Sequence, residues 1–330
     1  MTSFLAFSGK PARGFFSSLS CTAVKPSPPT ESTMPLPNPP RQALRNPPPD
    51  PQPRVPALSL PQLAWDCHIH LFGPVRDFPF EAASPYVSDD ALPEDYLRVQ
   101  HTLGLQRAVV VSGGGYGADY RHLQSVLERF GSRFRGIILA RSDLTAQEVT
   151  RLHALGVRGV RMFGGPSHEW SHLPRLDTRI AGLIQDAGWH VQYHSLERGE
   201  IVDSVAAVNA LPNRVVLDHF GMFDPALGVD QPAFKTILKL LETGKVWVKL
   251  SGPMRCTKEE YPYASMTPFA RMLARAAPER LVWGSDWPHV QMNGRVMPND
   301  GGLVDLLAEW VPDQATRFRI LAKNPRELYE

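Results

Sequence analysis

The sequence predicts a (β/α)8 barrel over residues 63–330, preceded by a disordered proline-rich extension over residues 1–62. Three observations carry this reading. Eight short β-branched or apolar segments recur between Trp65 and Asp286. Segments with helical spacing separate them, and strand alternating with helix is the pattern of a parallel sheet with helical crossovers. The stretch from Trp65 to Glu330 also has the usual length of the eightfold fold, about 250 residues.

The predicted strands are, in order, 64–72 (AWDCHIHLF), 107–112 (RAVVVS), 135–140 (RGIILA), 159–162 (GVRM), 190–194 (HVQYH), 215–220 (VVLDHF), 246–251 (VWVKLS) and 280–286 (RLVWGSD). Most are bounded by Gly, Asn, Pro or Arg, as buried strands are. Among the helices, Tyr120, Leu123, Val126, Leu127 and Phe130 share one face of a segment that stops at Gly131. Thr145 with Glu148 three residues on reads as a capping box for a helix ending at Gly156. A third helix, from Gln231, closes at Gly244. A doubly wound open sheet is the competing architecture, but no GxGxxG or P-loop signature opens any helix. The SGGGYG run at 112–117 lacks the spacing and the acidic partner of a nucleotide cradle, and reads as an active-site loop.

Residues 25–61 hold 14 of the 32 prolines. Proline fixes φ and removes a backbone donor, so this stretch is expected to be extended and unpacked. Residues 1–30 have no Asp or Glu, several Ser, and three basic residues, Lys10, Arg13 and Lys25. That composition loosely matches an organelle-targeting segment, but also a plain tail or a start at Met34. The expected location is the cytoplasm, with organelle targeting by residues 1–33 as the alternative.

Composition narrows the function classes. The net charge of +2 gives no electrostatic case for nucleic acid or a membrane surface. No apolar run approaches the roughly 18 residues that span a bilayer. Cys21, Cys67 and Cys256 are too few and too scattered for a disulfide framework or a zinc ribbon, and a reducing compartment is the default. A small-molecule partner is expected, on a monomer or a small homo-oligomer.

In a barrel the reactive groups stand at the C-terminal ends of the strands. Strict strand alternation predicts Asp66, His68 and His70 on one face of the first strand, with Cys67 and Ile69 on the other. The fifth strand ends at His194, the sixth at His219, and the eighth runs into Ser285-Asp286-Trp287. Four imidazoles and a carboxylate thus converge from four strands, whereas His101, His122 and His153 fall in helices and are expected at the surface.

On these residues the chain resembles the amidohydrolase superfamily, in the branch that contains 2-pyrone-4,6-dicarboxylate lactonase. The carriers are DCHIHLFGP (66–74), GVRGVRMF (156–163), LDHFG (217–221), VKLSGPMR (248–255), LVWGSDWPH (281–289) and NPRELY (324–329). The resemblance implies a hydrolase that opens a carboxylated ring lactone in aromatic-acid breakdown. Asp286 would be the general base, and His68, His70 and His219 would polarise the scissile carbonyl. Arg161, Arg255, Tyr86, Ser112, His194 and His289 would bind the carboxylated substrate. Such roles make chemical sense: an ordinary Asp, with a pKa near 3.9, is ionised at neutral pH, and Arg forks grip carboxylates.

Two departures stand out. The branch is expected to carry another Arg after the fourth strand, where this chain reads Ser167 and His168, with Arg175 further on. His289 stands where a polar residue such as Asn is expected. No cofactor is favoured; the alternative is one divalent metal, zinc, on His68, His70, His194 and Asp286. The bridging Lys or Glu of a two-metal site is missing after the fourth strand, which reads Met162-Phe163-Gly164. A zinc-dependent hydrolase or decarboxylase of a related acid, and a catalytically silent binding barrel, are the other function classes.

Overall fold

The computed structural model describes residues 43–164 and 176–330. Eight parallel strands form one sheet: β1 (Trp65–Ile69), β2 (Arg107–Val111), β3 (Phe134–Leu139), β4 (Val157–Phe163), β5 (His190–His194), β6 (Val215–Leu217), β7 (Val246–Ser251) and β8 (Leu281–Gly284). Each pairs with its sequence neighbour. The sheet closes on itself where Asp286 N donates to His68 O (2.9 Å) and His70 N donates to Trp287 O (2.7 Å). The helices α1 (Pro93–Leu103), α2 (Arg121–Phe130), α3 (Ala146–Leu155), α4 (Thr178–Asp186), α5 (Ile201–Ala210), α6 (Pro232–Glu242), α7 (Thr267–Ala276) and α8 (Asp300–Trp310) each follow the strand of the same number. This is the (β/α)8 barrel that the alternation predicts, and all eight anticipated strands are present.

Local chemistry explains the helix limits. Thr145 Oγ1 accepts from Glu148 N at the start of α3. The Glu148 carboxylate accepts from Tyr120 instead of reaching back to the cap, so half of the expected box forms. Gly156 (φ 112°) and Gly244 (φ 78°) then turn the chain in the left-handed region that favours glycine.

Two cores result. Trp65, Cys67, Val109, Val111, Ile137, Val216, Trp247 and Val282 point from six strands into the barrel, with Leu328 and Tyr329 packed among them. Ile69, Ala108, Val110, Ile138 and Val160 face outward against the helices.

Alternation fails on β1, and the failure builds the site. Its register against β2 shifts between Asp66 and Ile69, the signature of a β-bulge. Asp66 leaves the inner face, where it was expected beside His68: its carboxylate accepts from Tyr96 of α1 and from Ser285. Cys67 turns inward with the inner core, contrary to expectation. The extra residue lets Trp65 and Cys67 join the inner core while His68 and His70 still share the face that points to the mouth.

The proline-rich segment also departs from its expected unpacked state from residue 43 onward. Leu44–Arg45 pairs in parallel with Tyr86–Val87. Leu58 N donates to Asp305 (2.9 Å), and the buried Asn46 accepts from Gln291 N (2.6 Å). The stretch is extended, as proline requires, yet it is held against the barrel by its remaining backbone and side-chain groups. Residues 1–42 lie outside the described residues, as does the anticipated targeting segment. No helix among the described residues is long and apolar enough to cross a membrane.

Candidate active site

The strand ends enclose a cavity of about 540 Å³. Asp286 forms its floor, held at φ 68°, in a region costly for a residue with a side chain. His219, on the turn after β6, is also left-handed at φ 46°. Such outliers gather where surrounding structure fixes a functional geometry.

The two oxygens of Asp286 have different environments. Oδ2 accepts from Arg255 Nε (2.9 Å) and Nη2 (2.8 Å). Oδ1 is buried and accepts no hydrogen bond among the described residues. It faces His68 Nε2 at 3.7 Å, His70 Nε2 at 3.7 Å and His219 Nε2 at 3.8 Å. Burial pushes this carboxyl group's pKa up, but the Arg255 guanidinium beside it, above all, leaves it well below the usual carboxylate range. The imidazoles are neutral at physiological pH: desolvation lowers His70 to about 3, and His68 and His219 well below their ordinary value. An ionised carboxylate with one free oxygen, ringed by neutral imidazoles, can take a proton from water.

A second carboxylate, Asp218, lies beneath. Its Oδ2 accepts from Arg161 Nε (3.0 Å) and Gln192 Nε2 (3.0 Å), and Arg161 Nη2 is also 3.0 Å away. Lys249 Nζ stands 3.4 Å from Oδ1. Sequence reasoning passed over Asp218, Gln192 and Lys249. The only available signal was polar residues at inward strand positions between apolar neighbours.

The anticipated residues divide into three groups. His70, His194, His219, Asp286, Arg161, Arg255 and Tyr86 line the cavity. His68 is fully buried and backs His70 from below. Ser112 and His289 are not among the lining residues. His289, expected as a substrate contact, is fully buried, and its Nε2 lies 3.0 Å from the buried Asp300 Oδ1. His122 is buried against Phe78 and Tyr116, not at the surface. Ser167, His168 and Arg175 lie outside the described residues.

Arg198 and Arg295 line the cavity as well, although nothing in their sequence context distinguishes them from other loop arginines. Among the described residues the mouth therefore carries four guanidinium groups. Arg161 and Arg255 each spend donors on a buried aspartate.

The donor set also fits a metal by spacing. His68, His70 and Asp286 offer ligand atoms close enough together for one ion, and so do His68, Asp218 and His219. His194, placed in the metal set by the sequence, belongs to neither group; its Nδ1 faces Asp218 at 3.6 Å. The orphaned Asp286 Oδ1 is the observation that makes one divalent ion plausible chemistry here.

Barrel, strand-end histidines and aspartate together define a hydrolase. A family model for amidohydrolases matches residues 65–330, and the chain belongs to that family. It is 37% identical over 279 residues to a 4-sulfomuconolactone hydrolase of Rhizobium radiobacter, covering 83% of this chain and 92% of the relative. It is 35% identical over 289 residues to a 2-pyrone-4,6-dicarboxylate hydrolase of Comamonas testosteroni, covering 84% and 93%. A solved apo structure from Agrobacterium tumefaciens superposes with a TM-score of 0.75 at 28% identity, covering 83% of this chain and 98% of that one.

Proposed function

We propose that this protein hydrolyses a ring lactone that carries anionic groups, with Asp286 as general base. The observation that carries the reading is the free Asp286 Oδ1 on the floor of a cavity lined by Arg161, Arg198, Arg255 and Arg295. Water held between Oδ1 and the imidazole edges attacks the lactone carbonyl carbon. Oδ1 takes its proton, and the ring C–O bond then breaks. The released ring oxygen takes up a proton, and the new acid ionises. Neutral N–H groups and guanidinium groups stabilise the negative charge that develops on the carbonyl oxygen. Tyr86, whose phenol is pushed up to about 12 chiefly by burial, stays protonated and serves as a donor to substrate.

The two relatives named for lactones bear sulfo or carboxylate groups in those names, and the arginine-rich mouth suits either anion. An expected fourth-strand arginine is therefore not needed for an acidic substrate: Arg198 and Arg295 already supplement Arg161 and Arg255. A second reading, favoured by the ligand spacing, is a metal-assisted hydrolase. His68, His70 and Asp286 would hold the ion, which would supply Lewis-acid polarisation of the carbonyl.

The test compares 2-pyrone-4,6-dicarboxylate, a sulfo-substituted muconolactone and an uncharged lactone, each with and without strong chelator, following ring absorbance. The proposal expects opening of an anionic lactone that survives chelation, with the uncharged lactone turned over at least tenfold less well. Loss of activity on chelation, restored by zinc, moves the function to the metal-assisted reading. No opening of any anionic lactone refutes both.

A further inference from the structure

Beneath the reaction centre lies a chain of hydrogen bonds whose direction is fixed at both ends. Lys249 Nζ stands 3.3 Å from His68 Nδ1, His68 Nε2 stands 3.3 Å from His70 Nε2, and His70 Nδ1 stands 2.8 Å from Val111 O. A backbone carbonyl can only accept, so His70 carries its proton on Nδ1 and presents a lone pair at Nε2. An ammonium can only donate. Lys249 donates to Gln192 Oε1 at 2.6 Å and to His68 Nδ1, and Asp218 Oδ1 is an ion-pair neighbour at 3.4 Å that accepts no hydrogen bond. His68 Nδ1 is therefore the acceptor, its proton sits on Nε2, and that proton is given to His70. Every link is satisfied in this one arrangement.

The rival arrangement is visible in the same place. Asp218 Oδ1 is 3.4 Å from His68 Nδ1, and a proton on Nδ1 would point to it. His68 Nε2 would then be a lone pair directed at Asp286 Oδ1, beside the lone pair of His70. That is what a metal ligand requires, since a ring nitrogen that holds its proton cannot coordinate. Lys249 and Asp218 thus pull His68 toward opposite tautomers. Lys249 meets hydrogen-bond geometry, while Asp218 Oδ1 accepts no hydrogen bond. Lys249, Gln192 and Asp218 are all buried from solvent, so water does not blur the choice.

We infer that Lys249 is a positioning residue that holds His68 as the Nε2–H tautomer, its proton given to His70, and so sets this pair of imidazoles against binding a metal. The inference deepens the lactone-hydrolase reading and rests on it for the catalytic consequence. The tautomer itself is a separate claim.

The experiment uses the full chain with 15N-labelled histidine, because protonated and unprotonated ring nitrogens differ widely in 15N shift. His68→Gln identifies the His68 signals. In the wild type, His68 is expected to be protonated at Nε2 and His70 at Nδ1, with zinc uptake by calorimetry weak. Lys249→Met leaves Asp218 still bound by Arg161 and Gln192; it is expected to move the His68 proton to Nδ1 and tighten zinc binding at least tenfold. Asp218→Asn keeps Lys249 and is expected to hold the wild-type tautomer. Should Lys249→Met not fold, the Lys249→Met/Asp218→Asn double variant removes both charges together, and a mixture of the two His68 tautomers is expected. A wild-type His68 protonated on Nδ1, or a folded Lys249→Met protein with unchanged shifts and zinc affinity, overturns the inference. The expected tautomers in a protein that opens no lactone would leave this inference standing and refute only the function proposed above.

Discussion

Replacing Arg198 with Gln tests whether the arginines of the mouth act by binding or by chemistry. Arg198 Nε and Nη2 each donate to Arg255 O at 3.3 Å, and Asp224 is 3.9 Å away. The side chain is 27% exposed and lines the cavity. A unit charge about 5 Å from a substrate anion gains roughly 3 kcal/mol at an effective dielectric of about 20. Partial exposure to solvent cuts this by about half, to about 1.4 kcal/mol, which corresponds to about tenfold. Nothing places Arg198 near Asp286 Oδ1, so the interaction is the same in ground and transition states. Arg198→Gln is therefore expected to raise KM for an anionic lactone about tenfold and leave kcat within a factor of about two. The wild-type KM should also climb with salt more steeply than the variant's, because screening removes what the mutation has removed. Steady-state ring-opening kinetics at two ionic strengths provide the assay. A fall in kcat at constant KM would refute the reasoning, since it would place Arg198 in the chemical step.

Acid should loosen the fold early. Burial holds both His70 and His190 at about 3, whereas an unfolded His titrates near 6.5. Below pH 6.5 the unfolded chain takes up protons that the native protein refuses, so stability is full above that pH and declines as pH falls toward 3. At pH 5 the loss is about 2 kcal/mol per histidine; urea midpoints at pH 7 and 5 measure it, and an equal or higher midpoint at pH 5 would contradict it. Gly284→Ala would set a Cβ 2.8 Å from both Cβ and N of His68. Overpacking of this kind costs about 1–3 kcal/mol, so a lower Tm and a lower kcat are expected together, and an unchanged Tm would show that β1 can yield.

What could be read from the sequence follows from the kind of signal each feature leaves. The eight strands were legible because buried parallel strands are continuous apolar runs, and Gly156 and Gly244 marked where helices stop. His70, His194, His219 and Asp286 were legible because strand ends are where a barrel keeps reactive groups. The β1 bulge was not, since an extra residue in one strand has no mark in composition; this is why Asp66 and Cys67 lie on faces opposite to those that alternation predicts. Lys249 and Asp218 escaped because a buried ion pair depends on two strands meeting in space. His289 follows Asp286 in sequence but faces Asp300, and a left-handed φ of 63° there redirects the chain. The prolines of residues 43–62 predict an unpacked stretch because they fix φ and lack backbone donors, while what holds it is the non-proline remainder: Asn46, Leu58 N and a two-residue strand.

The central claim is that Asp286 activates the water. Asp286→Asn keeps the volume and an oxygen for Arg255 but removes the base. With an anionic lactone as substrate, general-base catalysis is worth about 10²- to 10⁴-fold. The kcat of Asp286→Asn for ring opening is expected to fall by that much, with the anion still bound in the cavity. Turnover at the wild-type rate by the folded variant would contradict the account.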